Sequence, residues 1–302
     1  MMDGIINIYK EAGFTSHDVV AKLRGILRTR KIGHTGTLDP DAVGVLPVCI
    51  GGATKACDML TDRSKVYEAV LRLGVTTDTE DMSGTVLSER EVDVTEEQVR
   101  EALLSFLGDY EQIPPMYSAI KVNGKKLYEI AREGKVIERQ PRPVTIYDLD
   151  ILEVDLPLVR IRISCSKGTY IRSLCRDIGE KLGCGGCMEH LTRTRVGEFV
   201  IEDALTLSQV EELMREGNVE EHIKPVDRLF VQYPKVQVQR QSEHKLLLNG
   251  NPLAASRIQL EDQYRKEGQW LRLYDMSGRF VALYRYNTEK RRIMPLKMFF
   301  HE

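Results

Sequence analysis

No stretch of this sequence approaches the ~18 consecutive apolar residues that a membrane-spanning helix needs, so a helical membrane protein is not expected. Cysteine is scarce, 6 in 302 residues, too few for a disulfide scaffold. The opening MMDGIINIYKEAG lacks the basic segment, long apolar run and cleavage site of a secretory signal. Together these absences predict reduced thiols and a cytoplasmic protein. Internal repeats and low-complexity tracts are missing too, which argues against a repeat array. Nor is one sign of charge in excess: 43 Lys and Arg face 45 Asp and Glu, a formal net charge of −2. Taken alone, that balance speaks against a nucleic-acid binder, whose domains tend to be visibly basic.

What is present is enough to build a core. The chain is 42% hydrophobic and 29% charged, and its length suits one large domain or two modest ones. Ile5, Ile6 and Ile8 predict a first strand. Thr15-Ser16-His17-Asp18 resembles a capping box, followed by Val19, Val20, Leu23, Ile26 and Leu27 at helical spacing. Residues 66–73 alternate, with Tyr67, Ala69, Leu71 and Leu73 on one face. A second capping box at Thr95 to Gln98 precedes a helical stripe of Val99, Ala102, Leu103, Phe106 and Leu107. Val159, Ile161, Ile163 and Cys165 form another alternating strand, leading to a helix with Ile171, Leu174, Cys175, Ile178 and Leu182 buried. A last helix opens at Ser208 to Glu211.

The alternation lacks a regular βαβ period, so the expected class is α+β, a mixed and mostly antiparallel sheet flanked by helices. Near Tyr233-Pro234 the texture changes to short segments, KVQVQ, WLRLYD and RFVALYRY, separated by Gly250, Gly268 and Gly278. That pattern reads as a small β-barrel, with a domain boundary near residue 232.

Counting charge by segment changes the first impression. Residues 19–38 sum to +5, 121–142 to +4, 160–196 to +5 and 285–297 to +4. Residues 76–111 carry eleven acids against two arginines, a sum of −9. Any one basic run reads equally well as a solvated face, but four of them point toward a polyanion surface.

The most informative stretch is Gly33-His34-Thr35-Gly36-Thr37-Leu38-Asp39-Pro40. Two glycines and a proline in eight residues make a tight loop that presents a histidine and a carboxylate. On spacing alone an ordinary turn is the stronger reading, with Asp39 capping local amides and His34 at the surface.

The string itself resembles the GHTGTLDPxAxGVLPV motif of the TruB family of tRNA pseudouridine synthases. Further blocks resemble the family in family order: Gly51-Gly52-Ala53-Thr54-Lys55, Lys65-Val66-Tyr67, Gly74 through Asp81, Gln112 through Lys121, Lys167 through Arg172, and Leu191-Thr192-Arg193. The likeness spans roughly residues 4–230. It implies the pseudouridine synthase fold and isomerisation of the T-loop uridine of tRNA, at conventional position 55, from an N-glycoside to a C-glycoside. The reaction is redox-neutral, and the resemblance implies no metal and no cofactor.

The resemblance also assigns residues. Asp39 matches the family's essential aspartate, a nucleophile or a stabiliser of the cleaved sugar, either of which requires an ionised carboxylate. Arg172 matches the arginine that pairs with it and favours that form. Tyr67 matches the tyrosine that stacks on uracil and acts as base at C5. Tyr170 and Leu191 match pocket-lining residues. The target base must be flipped out of its loop, and His34 matches the histidine that fills the space it leaves. Residues 114–143 match the family's thumb, an insertion that orders against RNA, and Lys55, Lys125 and Lys126 are candidate RNA contacts. Residues 233–302, with Leu248-Asn249-Gly250-Asn251-Pro252, resemble a PUA RNA-binding domain, leaving 1–232 as the catalytic domain. A monomer with no obligate protein partner is expected.

Three departures stand out. Glu11 replaces a usual proline, and Asp41 and Val43 replace a more usual Leu and Thr. Asp41 sets a second carboxylate two residues from Asp39, and Asp81 reads equally as a site residue or a solvated loop acid. Cys184 and Cys187 form a C-x-x-C that Cys175 and His190 would complete as a Cys₃His set. Cys175 lies on an apolar stripe, so metal or redox use is not expected. His17, His222, His244 and His301 carry no surrounding constellation. Two rivals remain: a guide-dependent rRNA pseudouridine synthase of the dyskerin kind, against which the full 114–143 insertion argues, and an RNA-binding or tRNA-folding protein with incidental catalysis.

Overall fold

The computed structural model describes residues 2–299; the expectation for His301 falls outside them. Strand β1 (Gly4–Lys10) carries the isoleucine run, and Thr15 caps α1 (Ser16–Ile26) through the expected reciprocal box with Asp18. Helix α1 buries Val19, Val20 and Leu23, the helical-period stripe, against the first strands. Strand β2 (Ile32–His34) then pairs with β3 (Val43–Ile50), whose unbroken apolar run is buried almost throughout. A short helix α2 (Cys57–Thr61) leads into β4 (Lys65–Leu73), where burial alternates strictly with period two. Tyr67, Ala69, Leu71 and Leu73 share its inner face as expected, and so does the charged Lys65.

The acidic segment makes a hairpin, β5 (Val75–Thr77) with β6 (Val86–Glu89), and the capped helix α3 (Glu96–Leu104). The helix stops before Phe106 and Leu107, which the apolar spacing includes. Ser105 at its end donates its hydroxyl to the Ala102 carbonyl, and Gly108 then turns the chain at φ +91°. Strand β7 (Gly108–Gln112) and β10 (Arg142–Asp155) are antiparallel neighbours, with Gln112 opposite Arg142. The thumb is therefore a long connection between adjacent strands. It holds a small hairpin, β8 (Lys121–Val122) with β9 (Lys125–Lys126), and helix α4 (Leu127–Arg132), around its own cluster of Met116, Leu127 and Ile130.

Strand β11 (Leu158–Cys165), helix α5 (Ile171–Lys181) and strand β12 (Gly186–Val196) complete the centre. The spatial order of the large sheet is β14-β1-β3-β12-β4-β11-β10-β7, where β14 is Ile223–Lys224 and β13 (Phe199–Val200) hangs from β12. Neighbours along this order are antiparallel except β3 with β12, which matches the mixed, mostly antiparallel expectation. Helices α3 and α5 cover one part of the sheet. Helix α6 (Leu207–Glu216), capped by Thr206, joins α1 over another.

Helix α6 is not the last helix. The C-terminal region has a five-stranded sheet ordered β15-β17-β18-β19-β16 and also α7 (Gln241–Leu248). Its strands are β15 (Lys235–Gln237), β16 (Leu253–Ala254), β17 (Trp270–Tyr274), β18 (Phe280–Asn287) and β19 (Arg292–Met298). Its two end strands are not paired to each other, so it is an open, curled sheet rather than a closed barrel. One apolar cluster joins it to the rest, with Leu283 and Phe299 packed among Val45, Ala53 and Phe230. Among the described residues no helix is long and apolar enough to cross a membrane.

Candidate active site

The loop between β2 and β3 is tied down residue by residue. Thr35 donates its amide and hydroxyl to the Pro47 carbonyl at 3.2 and 3.1 Å. The Leu38 amide donates to Ser16 Oγ at 3.0 Å, and the Ala42 amide to the Asp39 carbonyl at 3.2 Å. Beneath it Lys10, fully buried, donates Nζ to the carbonyls of Pro40 (2.8 Å), Ala42 (2.5 Å) and Glu11 (3.1 Å). Desolvation lowers the Lys10 pKa to about 8, with Asp41 and Asp39 pulling the other way. Glu11 thus contributes its carbonyl, while its side chain is exposed.

Asp39 projects from this platform toward α5. Arg172 approaches it side-on, Nε 3.0 Å from Oδ2 and Nη2 3.1 Å from Oδ1, a bidentate pair. The ordinary-turn reading, with Asp39 capping local amides, gives way to this long-range partner. Burial raises the Asp39 pKa above the usual carboxylate value. Arg172 opposes that shift, and the Asp81 carboxylate adds to it. The Asp39 side chain keeps 37% of its surface open, enough for a ligand to reach the carboxylate. Exposed Asp41 has no part in the Arg172 pair, which is made by Asp39.

Arg172 is held on its other edges. Its Nη1 donates to the Thr79 carbonyl at 3.0 Å and lies 3.5 Å from Asp81 Oδ2; its Nη2 donates to the Tyr117 carbonyl at 3.0 Å. Asp81 therefore faces Arg172 rather than solvent, with only 13% of its side chain exposed. Its loop is pinned to β12 by the Met82 amide on the Met188 carbonyl (3.1 Å) and the Met188 amide on the Glu80 carbonyl (3.0 Å). Glu80, also buried, pairs with Arg176 and accepts from Ser173 Oγ at 2.5 Å. Acidic loop and basic helix thus neutralise each other here.

Tyr170 begins α5 without a side-chain cap of its own. Buried Gln112 takes that role, accepting from the Tyr170 amide at 2.8 Å and donating to its carbonyl at 3.0 Å. Burial raises the Tyr170 pKa, and the nearby Arg172 and Arg142 charges oppose it. Tyr67 is buried on β4 and belongs to one apolar cluster with Leu38, Ile171 and Leu191. Burial raises its pKa as well, with Arg193 opposing. Leu191 stands opposite Ala69 and Arg193 opposite Tyr67 in the β12–β4 register. Strand β12 can meet β3 because Gly44 has φ +105° and no side chain; a Cβ there would lie 2.2 Å from the Arg193 carbonyl oxygen.

His34 ends β2 at the rim of the loop and is half-buried, its Nδ1 facing the Gly36 amide at 3.4 Å. Burial lowers its pKa to about 4, so the ring is neutral at pH 7, and the nearby His17 and Arg193 act in the same direction. His17 does have a partner after all: its exposed ring stands edge-on to His34, centroids 5.1 Å apart. His222 is exposed, and His244 Nδ1 faces the Met276 amide at 3.4 Å.

The remaining candidates lie away from this cluster. Lys55 follows the opposite end of β3 from Asp39, where burial and the neighbouring Lys31 lower its pKa. Lys125 and Lys126 sit on the thumb hairpin; Lys125 pairs with Glu133 at 3.2 Å and Lys126 donates to the Tyr128 hydroxyl at 3.1 Å. The C-x-x-C does not gather ligands: Cys187 Sγ faces Met82 Sδ at 3.5 Å and His190 is exposed. Among the described residues no group of three or more His, Cys, Asp or Glu is arranged to hold a metal ion.

Sequence reading missed Lys10, Gln112 and Arg193 as site residues. Gln112 and Arg193 lie inside family blocks and Lys10 precedes the Glu11 departure, but nothing in the spacing says that they are buried. In the folded chain, a carboxylate gripped by a guanidinium is accompanied by one buried phenol, Tyr67, one half-buried phenol, Tyr170, and a neutral imidazole. That set can hold a planar base and act at an adjoining sugar carbon, while the thumb root closes one side.

Known proteins resemble this chain over almost its whole length. Residues 24–171 match the model described as TruB family pseudouridylate synthase (N terminal domain). Residues 172–231 match that of the tRNA pseudouridylate synthase B C-terminal domain. The chain is 57% identical over 310 residues to the tRNA pseudouridine synthase B of Lachnoclostridium phytofermentans, covering 99% of this chain and 100% of that protein. It is 47% identical over 295 residues to the protein of the same name from Clostridium novyi, covering 98% and 99%. Among solved structures it resembles a chain of a Cbf5-Nop10-Gar1 complex (TM-score 0.72, 27% identity, 99% and 86% covered). It also resembles a chain of an H/ACA RNP bound to a substrate RNA containing 2'-deoxyuridine (TM-score 0.71, 26% identity, 98% and 85% covered). The chain belongs to the TruB family of pseudouridylate synthases.

Proposed function

We propose that this chain is a stand-alone tRNA pseudouridine synthase that isomerises the T-loop uridine at tRNA position 55. The observation that carries the reading is the bidentate Asp39–Arg172 pair on a tied loop, in a chain whose curated relatives at 47–57% identity are tRNA pseudouridine synthases. The uridine swings out of its loop, and neutral His34 takes its place in the stack, a flat ring that can both stack and hydrogen-bond. Tyr67, Tyr170 and Leu191 hold the extruded uracil.

Asp39 acts at the sugar carbon as the N-glycosidic bond breaks, either as nucleophile or as countercharge. Arg172 keeps enough of it ionised for that task despite burial. The uracil leaves with the electron pair on N1, turns and bonds the sugar carbon through C5 as Asp39 is released; the Tyr67 hydroxyl passes its proton to N1 and takes the one that C5 loses, so atoms and electrons balance without a redox partner. The thumb 114–143 and the C-terminal region 233–302, read as PUA-like, supply RNA contacts outside the pocket, with Lys55, Lys125 and Lys126 toward phosphates. The protein works as a monomer in the cytoplasm, with tRNA as its partner.

The test is direct. Purified chain is incubated with an unmodified tRNA transcript and no other factor, and pseudouridine is mapped. Product at the T-loop uridine is expected. No product there, or product only when a guide RNA is added, overturns the reading.

A further inference from the structure

One side chain closes the thumb at its base. Arg139, on the returning arm, donates Nη1 to the carbonyl of Pro114, on the outgoing arm, at 3.0 Å. The same Nη1 lies 3.9 Å from Glu80 Oε1, and the Arg139 Nε is buried with no hydrogen-bond partner among the described residues. Glu80 also pairs with Arg176, whose Nη2 donates to the Ile113 carbonyl at 3.2 Å. Among the described residues Glu80 is the only carboxylate in ion-pair range of both arginines. Its other oxygen accepts from Ser173, so both oxygens of a buried charge are engaged.

The backbone is a second sign. Glu80 has φ +65°, a left-handed conformation that glycine or asparagine adopts at lower cost. Its amide donates to the Thr77 carbonyl at 3.3 Å and its carbonyl accepts from the Met188 amide at 3.0 Å, so the turn itself does not need a carboxylate. What the side chain adds is its reach to α5 and to the thumb. One residue pair further on, Arg172 Nη2 donates both to the Tyr117 carbonyl at 3.0 Å and to Asp39 Oδ1 at 3.1 Å. Thumb root and Asp39 therefore share a single nitrogen.

We propose that Glu80 is a positioning residue for the isomerisation: through Arg139 and Arg176 it holds the thumb root where the Tyr117 carbonyl keeps Arg172 turned onto Asp39. A charge suits this place better than an amide, because two guanidinium groups converge on it away from bulk water. Removing the charge leaves Arg139 only the Pro114 carbonyl and weakens the hold of Arg176 on α5 and the thumb together. This role rests on the proposed reaction, in which Asp39 acts at the sugar of the uridine.

The test uses the full chain and an unmodified tRNA transcript. Single-turnover rate constants and tRNA Kd are measured for the parent, Glu80→Gln, Arg139→Gln and the double variant. Glu80→Gln keeps the size of the side chain and an acceptor for Ser173 while removing the charge. It is expected to slow the chemical step about 10-fold or more. Kd should stay within about threefold, because the Asp39–Arg172 geometry matters at the transition state rather than in binding. In the double variant the second change adds little to the first, because the two residues act as one unit. An unchanged rate constant, a loss confined to Kd, or independent multiplicative effects overturns the proposal.

Amide hydrogen exchange of the free chain, read by mass spectrometry, tests the same link without turnover. Exchange in residues 113–118 should quicken in Glu80→Gln while that of β4 stays as in the parent. Unchanged exchange at the thumb root overturns the proposal, and so does a uniform rise across the fold, which is a loss of stability alone. If Glu80→Gln gives no cooperative melt, Arg139→Gln reads the link from the thumb side, with the same quickening expected. A parent that makes no T-loop pseudouridine refutes the proposed reaction instead, while the exchange measurement still reads the hold of Glu80 on the thumb.

Discussion

Arg172 and Asp39 lie 133 residues apart in the chain and meet through two parallel contacts, 3.0 and 3.1 Å. The guanidinium is almost completely buried while the carboxylate keeps an open edge. The pair is thus oriented from the inside, leaving the carboxylate free to act on what enters.

Asp39→Asn keeps the shape and removes the charge. Turnover on tRNA should fall below detection, tRNA Kd should change little, and the melting temperature should not drop. The last point follows from sign: a carboxyl whose folded pKa is raised costs stability above that pKa, so removing its charge relieves a cost. Retained turnover would mean that another carboxylate does the chemistry.

His34 makes acid stability pH-dependent. Its folded pKa is about 4 against an ordinary 6.5, so the unfolded chain binds the extra proton first. Its contribution is present above pH 6.5 and is lost as pH falls toward 4. Urea midpoints at about pH 7 and about pH 5, on either side of the ordinary histidine value, should differ more in the parent than in His34→Gln. Equal differences would assign the acid sensitivity elsewhere.

Lys10→Met leaves the carbonyls of Glu11, Pro40 and Ala42 without their shared donor. Unsatisfied buried acceptors cost roughly 1–3 kcal/mol, partly offset by relief of the desolvation that lowers the lysine pKa to about 8. The expected result is a destabilisation of about 1–2 kcal/mol in denaturant titrations. A variant as stable as the parent would show that the loop stands without this prop.

Lys125→Ala with Lys126→Ala tests the thumb. Each lysine that neutralises a phosphate contributes about 0.7 to 0.9 to the slope of log K against log salt, so the double variant should show a shallower slope in filter binding between low and moderate salt. Glu133, which also pairs with Lys135, holds Lys125 at 3.2 Å in the free chain, so RNA must compete with that ion pair. An unchanged slope would make both lysines ordinary solvated residues.

Local signals are legible wherever the physics is local. The Thr15 and Thr95 caps, the alternation of Tyr67 to Leu73 and the stripe of α5 are written in the sequence within one or two turns, and the structure follows them. They fail where tertiary context outweighs periodicity. Helix α3 ends at Leu104 although the apolar spacing runs on, and α7 arises where only strands are expected. Asp39 and Arg172, singled out by their motifs, meet in the fold, and Tyr67 and Leu191 share one apolar cluster, while Lys55, Lys125 and Lys126 stand apart.

By itself, then, the sequence determined the capped helix starts and alternating strands, the segregation of charge behind a net −2, and the loop that presents Asp39. Only the tertiary structure decided that the acidic 76–111 segment is spent partly on Arg172 and Arg176, that Asp81 faces Arg172 and Asp41 does not, and that Lys10 and Arg193 are buried. The reason is that sheet register and strand order set which distant residues face each other. Burial, which fixes the energy of every one of those charges, depends on all the layers at once rather than on any stretch of chain.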